Sequence, residues 1–296
     1  MFNVRWRVIH SFFVLLCVSI LWASDSSKSP VLVVTVPVAD MHSGPSEDSD
    51  LVSQAILGSN VTEAQRSGNW AKVTTSDQYS GWMPLADLRE VNGIGGYAVA
   101  GEVVSVENLF ANLYRETDVT EHQPVITVPF ETRLEVIEEG KGDDRGWLKV
   151  RLPDQRPAWI QLGDVDRHPR ALTIPESIAL ARRFLGLPYL WGGRSTYGYD
   201  CSGFTQMLVR SRGINMPRDA DLQAAWQGVD AVERKDLKPG DLLFFGSAPD
   251  KITHTGMYIG DGQFIHDTTH DHPVVQISQL NEEPWTRILV ACRRVK

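Results

Sequence analysis

The sequence predicts a multidomain protein in which two small all-β barrels precede an α+β domain, and three observations carry that expectation. A tryptophan-centred segment occurs twice at an offset of 77 residues: Trp70 and Trp82 in the first copy answer to Trp147 and Trp159 in the second. Both copies alternate apolar and polar residues over short runs, as in 31–38 and 133–137, broken by Gly, Asp and Pro turn signals. After His168 the pattern changes to helical periodicity and then to strands.

Taken in chain order, the first segment reads as an export signal over residues 1–24. Arg5 and Arg7 precede the largely apolar run from Val8 to Trp22, and small residues Ala23 and Ser24 follow it. The run is short for a stable bilayer span, and no later stretch is apolar enough to cross one. This reading places the exported protein in the periplasm or in the extracellular space or cell wall, with no stable membrane insertion after cleavage. The two barrels follow at 31–92 and 98–168.

The third unit, 172–296, opens with Thr173 and Glu176 at capping-box spacing, ahead of a helix with Ile178, Ala181 and Leu185 on one side and Gly186 as its stop. A second helix is expected from Asp200 to Arg212, closed by Gly213, with Phe204, Met207 and Leu208 inward. Strands are expected at 241–245, 254–259, 263–267, 274–277 and 288–293. Helices followed by an antiparallel sheet make an α+β domain.

Composition excludes some partners. Of 296 residues 42% are apolar and 22% charged, the profile of a globular chain, and the net charge of -8 lacks the basic face that nucleic acid or an anionic membrane requires.

Of three cysteines, Cys17 leaves with the signal, which leaves Cys201 and Cys292. Two thiols in an exported chain are also the makings of one disulfide. Their surroundings differ, however. Asp200 is a good N-cap, so Cys201 falls in the first turn of its helix, where unpaired amides and the positive dipole end favour a thiolate. Cys292 lies in the apolar run Ile288–Cys292 and reads as core.

A thiolate nucleophile needs a proton carrier, and His254 and His266 are the candidates. If Gly260-Asp261-Gly262 is a hairpin loop, Tyr258 pairs with Phe264 and Gly256 with His266. The two histidines then share one face as diagonal neighbours about 7–8 Å apart, and a one-residue slip would separate them. A metal reading weighs His266, His270 and His272 with Asp267 and Asp271 between them, but the spacing matches no recognised zinc pattern. No cofactor is expected.

With these residues in place, Tyr199-Asp200-Cys201-Ser202-Gly203-Phe204 resembles the nucleophile motif of the NlpC/P60 superfamily of cell-wall cysteine peptidases. The segments 187–193, 239–245, 254–260 and 264–266 resemble the family's other motifs in order, and the Gly-Trp strands resemble bacterial SH3 domains. The resemblance implies two SH3-like barrels followed by a papain-like domain in which Cys201 attacks the carbonyl, His254 shuttles the proton and His266 orients His254. It further implies that Tyr189 lines the oxyanion site and that Ser202 contacts substrate. The segment Arg218-Asp219 is similar to that of a branch that trims peptides with a free N-terminal L-alanine, cutting between γ-D-glutamate and the following diamino acid. Asp219 and Tyr79 would hold the ammonium there, with Arg218 beside them in the binding site. Asp219 also suits the N-cap of a helix through Trp226. The sequence departs from this branch at Ser59, where a Glu is often found, and at Ala220 in place of a Ser.

The implied substrates are peptidoglycan-derived peptides. Two rivals remain: a wall-binding pair of SH3 domains with an inactive third domain, and an amidase or acyl transferase using the same triad.

Overall fold

The computed structural model describes residues 30–91 and 95–296, so the proposed export signal and Cys17 lie outside the described residues. Two seven-stranded antiparallel sheets come first. The first contains β1 (Val31–Val34), β2 (Val38–His42), β3 (Leu51–Ile56), β4 (Asn60–Ser67), β5 (Trp70–Thr74), β6 (Ser80–Pro84) and β7 (Leu88–Glu90). The second contains β8 (Val103–Val106), β9 (Phe110–Tyr114), β10 (Ile126–Pro129), β11 (Arg133–Glu139), β12 (Trp147–Arg151), β13 (Pro157–Gln161) and β14 (Val165–Asp166). Their strand orders, β3-β2-β6-β5-β4-β1-β7 and β10-β9-β13-β12-β11-β8-β14, are the same order displaced by seven. The repeated tryptophans explain the match: Trp70 and Trp147 open equivalent strands, and each is followed by a strand carrying its partner, Trp82 or Trp159. Each sheet encloses its own apolar core, one around Met41, Val73 and Met83 and the other around Leu113, Leu134 and Ile160. The run expected as one strand over 31–38 breaks before Pro37, which cannot donate to a ladder.

The remainder is α+β. Its elements are α1 (Ile174–Arg183), the short ribbon β15 (Arg194–Ser195) and β16 (Gly198–Tyr199), α2 (Cys201–Arg210), α3 (Ala220–Ala225), β17 (Val229–Ala231), β18 (Leu242–Ala248), β19 (Lys251–Gly260), β20 (Gln263–Thr268), β21 (Val274–Gln279), α4 (Trp285–Ile288) and β22 (Leu289–Val295). The sheet runs β17-β22-β18-β19-β20-β21. Helix α1 starts as the sequence predicts, with the Thr173 and Glu176 capping bonds both made. Its buried face is shifted, since Ser177, Leu180, Ala181 and Phe184 face inward while Leu185 is 45% exposed. The last turn tightens at Phe184, so Leu185 falls beyond the helical period. Phe204, Met207 and Leu208 of α2 are fully buried against Met257, Ile265 and Val275 of the sheet. The other sheet face carries a second core of Leu243, Phe245, Phe264, Trp285 and Cys292.

Both N-terminal sheets lock onto α2 and its approach. Gln206 donates to Asp77 at 2.8 Å, and the Arg194 amide donates to Gln54 at 3.0 Å. Arg210 pairs with Glu131 of the second sheet at 2.6 Å, and the Thr196 hydroxyl donates to the Leu109 carbonyl at 2.7 Å. The first sheet is thereby held at the mouth of the cleft described next. Among the described residues no helix is long and apolar enough to cross a membrane.

Candidate active site

Cys201 is the first residue of α2, and Asp200 caps that helix by accepting from the Gly203 amide at 2.7 Å. Both remaining cysteines carry free thiols, so the disulfide alternative falls away; Cys292 sits on β22 with its side chain in the core, as its apolar run predicts. The thiol lines a cleft of about 600 Å³ with Tyr189, Ser202 and Asp219 from its own domain and Leu51 and Tyr79 from the first sheet.

The expected thiolate is corrected by burial. Cys201 is 8% exposed, and that desolvation, with the Asp200 charge beside it, pushes the thiol up to about 12. The Thr255 and Ser202 backbone amides act the other way but are outweighed. Burial pushes His254 down to about 4 and His266 well below the ordinary imidazole range. Burial thus favours the neutral form of both the thiol and the imidazole.

The hairpin that carries the histidines has the anticipated register. Met257 pairs with Ile265 and Tyr258 with Phe264, but the loop is a two-residue Asp261-Gly262 turn closed by a Gly260–Gln263 pair and a bulge. Asp261 and Gly262 have φ of +52° and +74°, the hand a tight hairpin requires. His254 and His266 meet across the diagonal with Nε2 and Nδ1 2.8 Å apart. Gly256 makes room for this: a Cβ there would lie 3.0 Å from the His266 Cβ and 2.9 Å from the Phe264 ring.

The chain of contacts continues to a residue not anticipated from sequence. His266 Nε2 lies 3.0 Å from the Ser278 hydroxyl on β21. His254, His266 and Ser278 are each twelve residues apart on three neighbouring strands, so the second diagonal repeats the first, and that spacing was the available signal. Trp285 is the other omission; it stacks against His254 and meets His266 edge-on, with ring centroids 5.3 and 4.8 Å apart. With both nitrogens of His266 occupied by His254 and Ser278, His266 has no lone pair to offer the metal site weighed above.

Arg218 is corrected as well. Expected among the substrate-binding residues, it is 1% exposed with all five N–H donors engaged: two on the Asp200 carboxylate at 2.7 and 2.9 Å, and one each on Ser202, Gly193 and Ser53. It locks the Asp200 cap in place and ties the first sheet to it. The Ser202 hydroxyl, expected at the substrate, accepts from Arg218 at 2.8 Å and donates to Asp200 at 3.2 Å.

Asp219 stands at the N-cap position of α3 but makes no side-chain cap bond. Its half-buried carboxyl is raised by burial, with the Arg218 charge and, more weakly, the nearby Tyr79 hydroxyl opposing that shift. Both residues line the Cys201 cleft. Tyr189 is half-buried in the same cleft, its phenol raised chiefly by burial. Ser59, where a Glu was expected, lines a different cavity between the sheets.

Known proteins resemble this chain along most of its length. Residues 186–294 match the NlpC/P60 family, and residues 41–88 match the bacterial dipeptidyl-peptidase Sh3 domain. The chain is 34% identical to the gamma-D-glutamyl-L-lysine dipeptidyl-peptidase of Bacillus cereus, over 82% of this chain and 75% of that one. It is 31% identical to the protein of the same name from Bacillus subtilis, over 95% and 97% respectively. The crystal structure of an NlpC/P60 family protein from Bacillus cereus superposes with a TM-score of 0.78 at 28% identity, covering 90% of this chain and 99% of that one. A free cysteine opening α2, two histidines joined across a hairpin and this full-length similarity agree in placing the chain in the NlpC/P60 family of cysteine peptidases.

Proposed function

We propose that the protein hydrolyses the bond between γ-D-glutamate and the following diamino acid in peptidoglycan stem peptides that carry a free N-terminal L-alanine. The observation that carries this reading is that Asp219 and Tyr79 lie in the same cleft as Cys201. A carboxyl and a phenol together make an ammonium site, and the neighbouring sheet limits the length of chain beyond it. Both full-length relatives bear names for this reaction with L-lysine after glutamate. In this reading 31–92 and 98–168 are both SH3-like domains, 172–296 is the peptidase, and residues 1–24 direct export.

The hydrogen-bond chain is compatible with one proton assignment that suits this chemistry. With His266 donating from Nε2 to Ser278, its Nδ1 accepts from Nε2–H of His254, which leaves Nδ1 of His254 with the free lone pair. As Cys201 Sγ bonds to the γ-carbonyl carbon, its proton passes to that nitrogen, and the carbonyl oxygen takes up charge facing the α2 N-terminus and the Tyr189 hydroxyl. Collapse breaks the C–N bond, and His254 returns the proton to the leaving amine. Water then attacks the thioester, giving its proton to His254. Release of the L-alanyl-γ-D-glutamate carboxylate restores the thiol. Arg218 contributes by fixing Asp200, and hence the helix tip, rather than by touching substrate.

Purified protein offered free tripeptide and glycan-linked stems, with products weighed by mass spectrometry, tests the assignment. Cleavage of the free tripeptide alone is expected. Equal cleavage of both defeats the free-amine requirement, and no cleavage with no effect of thiol alkylation favours a wall-binding protein.

A further inference from the structure

Among the described residues, three buried side-chain polar atoms have no hydrogen-bond partner: Thr255 Oγ1 and both carboxyl oxygens of Asp267. They fall in one place. Continuing the Met257–Ile265 pairing by two residues brings Thr255 of β19 and Asp267 of β20 to opposing positions on the sheet face that receives α2. Thr255 is the residue whose backbone amide acts on the Cys201 thiol, and Asp267 follows His266. Neither residue is exposed, each at 0%.

A carboxyl buried from water, with no well-formed hydrogen bond and only the adjacent Thr268 amide weakly favouring its charge, is a heavy cost as an anion and a small one as an acid. Among the described residues no cation acts on it. The groups that act on it or feel its charge are the Asp200 carboxylate at the helix tip and Tyr189 and Tyr199 from the segment before α2, and apolar Val275 lies across β21. The Arg218 guanidinium is held by Asp200.

Resting on the peptidase reading above, we propose that Asp267 is a positioning residue of the active centre that works as an uncharged acid. While it keeps its proton, the space behind the nucleophile holds no charge beyond the Asp200–Arg218 pair, Cys201 can pass its proton to His254, and the Tyr189 hydroxyl stays available to the oxyanion. Once ionised, the carboxylate opposes the developing thiolate and competes as acceptor for the Tyr189 proton. Desolvation, with Asp200 adding to it, places that ionisation at about 8.

The test is the pH dependence of kcat at saturating free tripeptide for wild type and Asp267→Asn, an isostere of the neutral acid, because kcat reports groups of the bound complex whereas kcat/KM also carries the titration of the substrate's own amine at about pH 8. Wild type should lose activity above about pH 8, falling roughly 30-fold by pH 9.5 if the ionised form is inactive. Asp267→Asn should stay within about threefold of wild type at pH 7 and remain flat to pH 9.5. An unchanged alkaline fall in the variant, or none in wild type, overturns the proposal. Should the variant not fold, isotope-edited infrared on wild type decides: a protonated aspartic acid carbonyl band at pH 7 that disappears by pH 9.5 supports it, and no band at pH 7 refutes it. Failure of wild type to cleave at any pH defeats the peptidase reading instead, and the infrared result then stands on its own.

Discussion

Arg218 separates a structural role from a binding role by a measurable amount. Replacing it with Met keeps much of the volume but removes five donors at once, leaving the Asp200 carboxylate with the Gly192 and Gly203 amides and the Ser202 hydroxyl. Breaking a buried ion pair while the other charge remains costs about 3–5 kcal/mol. Because Asp200 caps α2, the loss should register there first. Hydrogen exchange of the α2 backbone amides should accelerate roughly 10²- to 10⁴-fold, since each 1.4 kcal/mol is about a factor of ten. Adding Asp200→Asn should recover part of that loss, giving a coupling of about 2 kcal/mol or more in a double-mutant cycle. An Arg218→Met protein that exchanges like wild type and differs only in a raised KM would refute this reasoning and return Arg218 to the substrate.

Four further outcomes follow from the geometry. Gly256→Ala should destabilise the domain by about 1–3 kcal/mol by overpacking, and should lower kcat at least about tenfold by forcing His266 away from His254, measured by denaturant titration beside steady-state rates. Tyr79→Phe or Asp219→Asn should raise KM for free-amine tripeptide while leaving turnover of an N-acetylated analogue nearly unchanged, and equal losses on both substrates would contradict the ammonium assignment. Ser278→Ala should cost activity less than His266→Ala, because it removes only the outer hydrogen bond of the chain. Finally, Asp267→Asn should stabilise the fold near neutral pH. The folded carboxyl is raised from 3.8 to about 8, so wild-type stability declines from about pH 4 and levels off above about pH 8. Relief at pH 7 is at most about 4 kcal/mol, read as the difference between wild-type and variant melting curves across pH.

What the sequence disclosed was what local pattern controls. The 77-residue tryptophan repeat located two sheets of one topology, and the Thr173 and Glu176 spacing located a capping box that forms. Alternation through the Gly260–Gly262 turn put His254 and His266 within reach of one another because pleat and turn are both short-range. Properties set by surroundings distant in the chain were not legible. The partners that hold Arg218 away from substrate include Asp200, 18 positions earlier, and Ser53, 165 positions earlier. The helix-tip argument for a thiolate weighed only local groups, whereas the burial that opposes it comes from sheet packing and the cleft walls. Strand β17 was overlooked because three residues carry too little periodicity, and Trp285 because nothing local distinguishes an aromatic that covers the histidines from any other.

The two-residue turn at Asp261-Gly262 behaves like a reading frame. Lengthening or shortening it by one residue would rotate β20 by half its repeat, carry Asp267 to where His266 now stands and aim the imidazole at the helix. Natural variation in such proteins should therefore collect in the connections 249–250 and 269–273, whereas the tip beside Gly260 admits changes of residue but not of count.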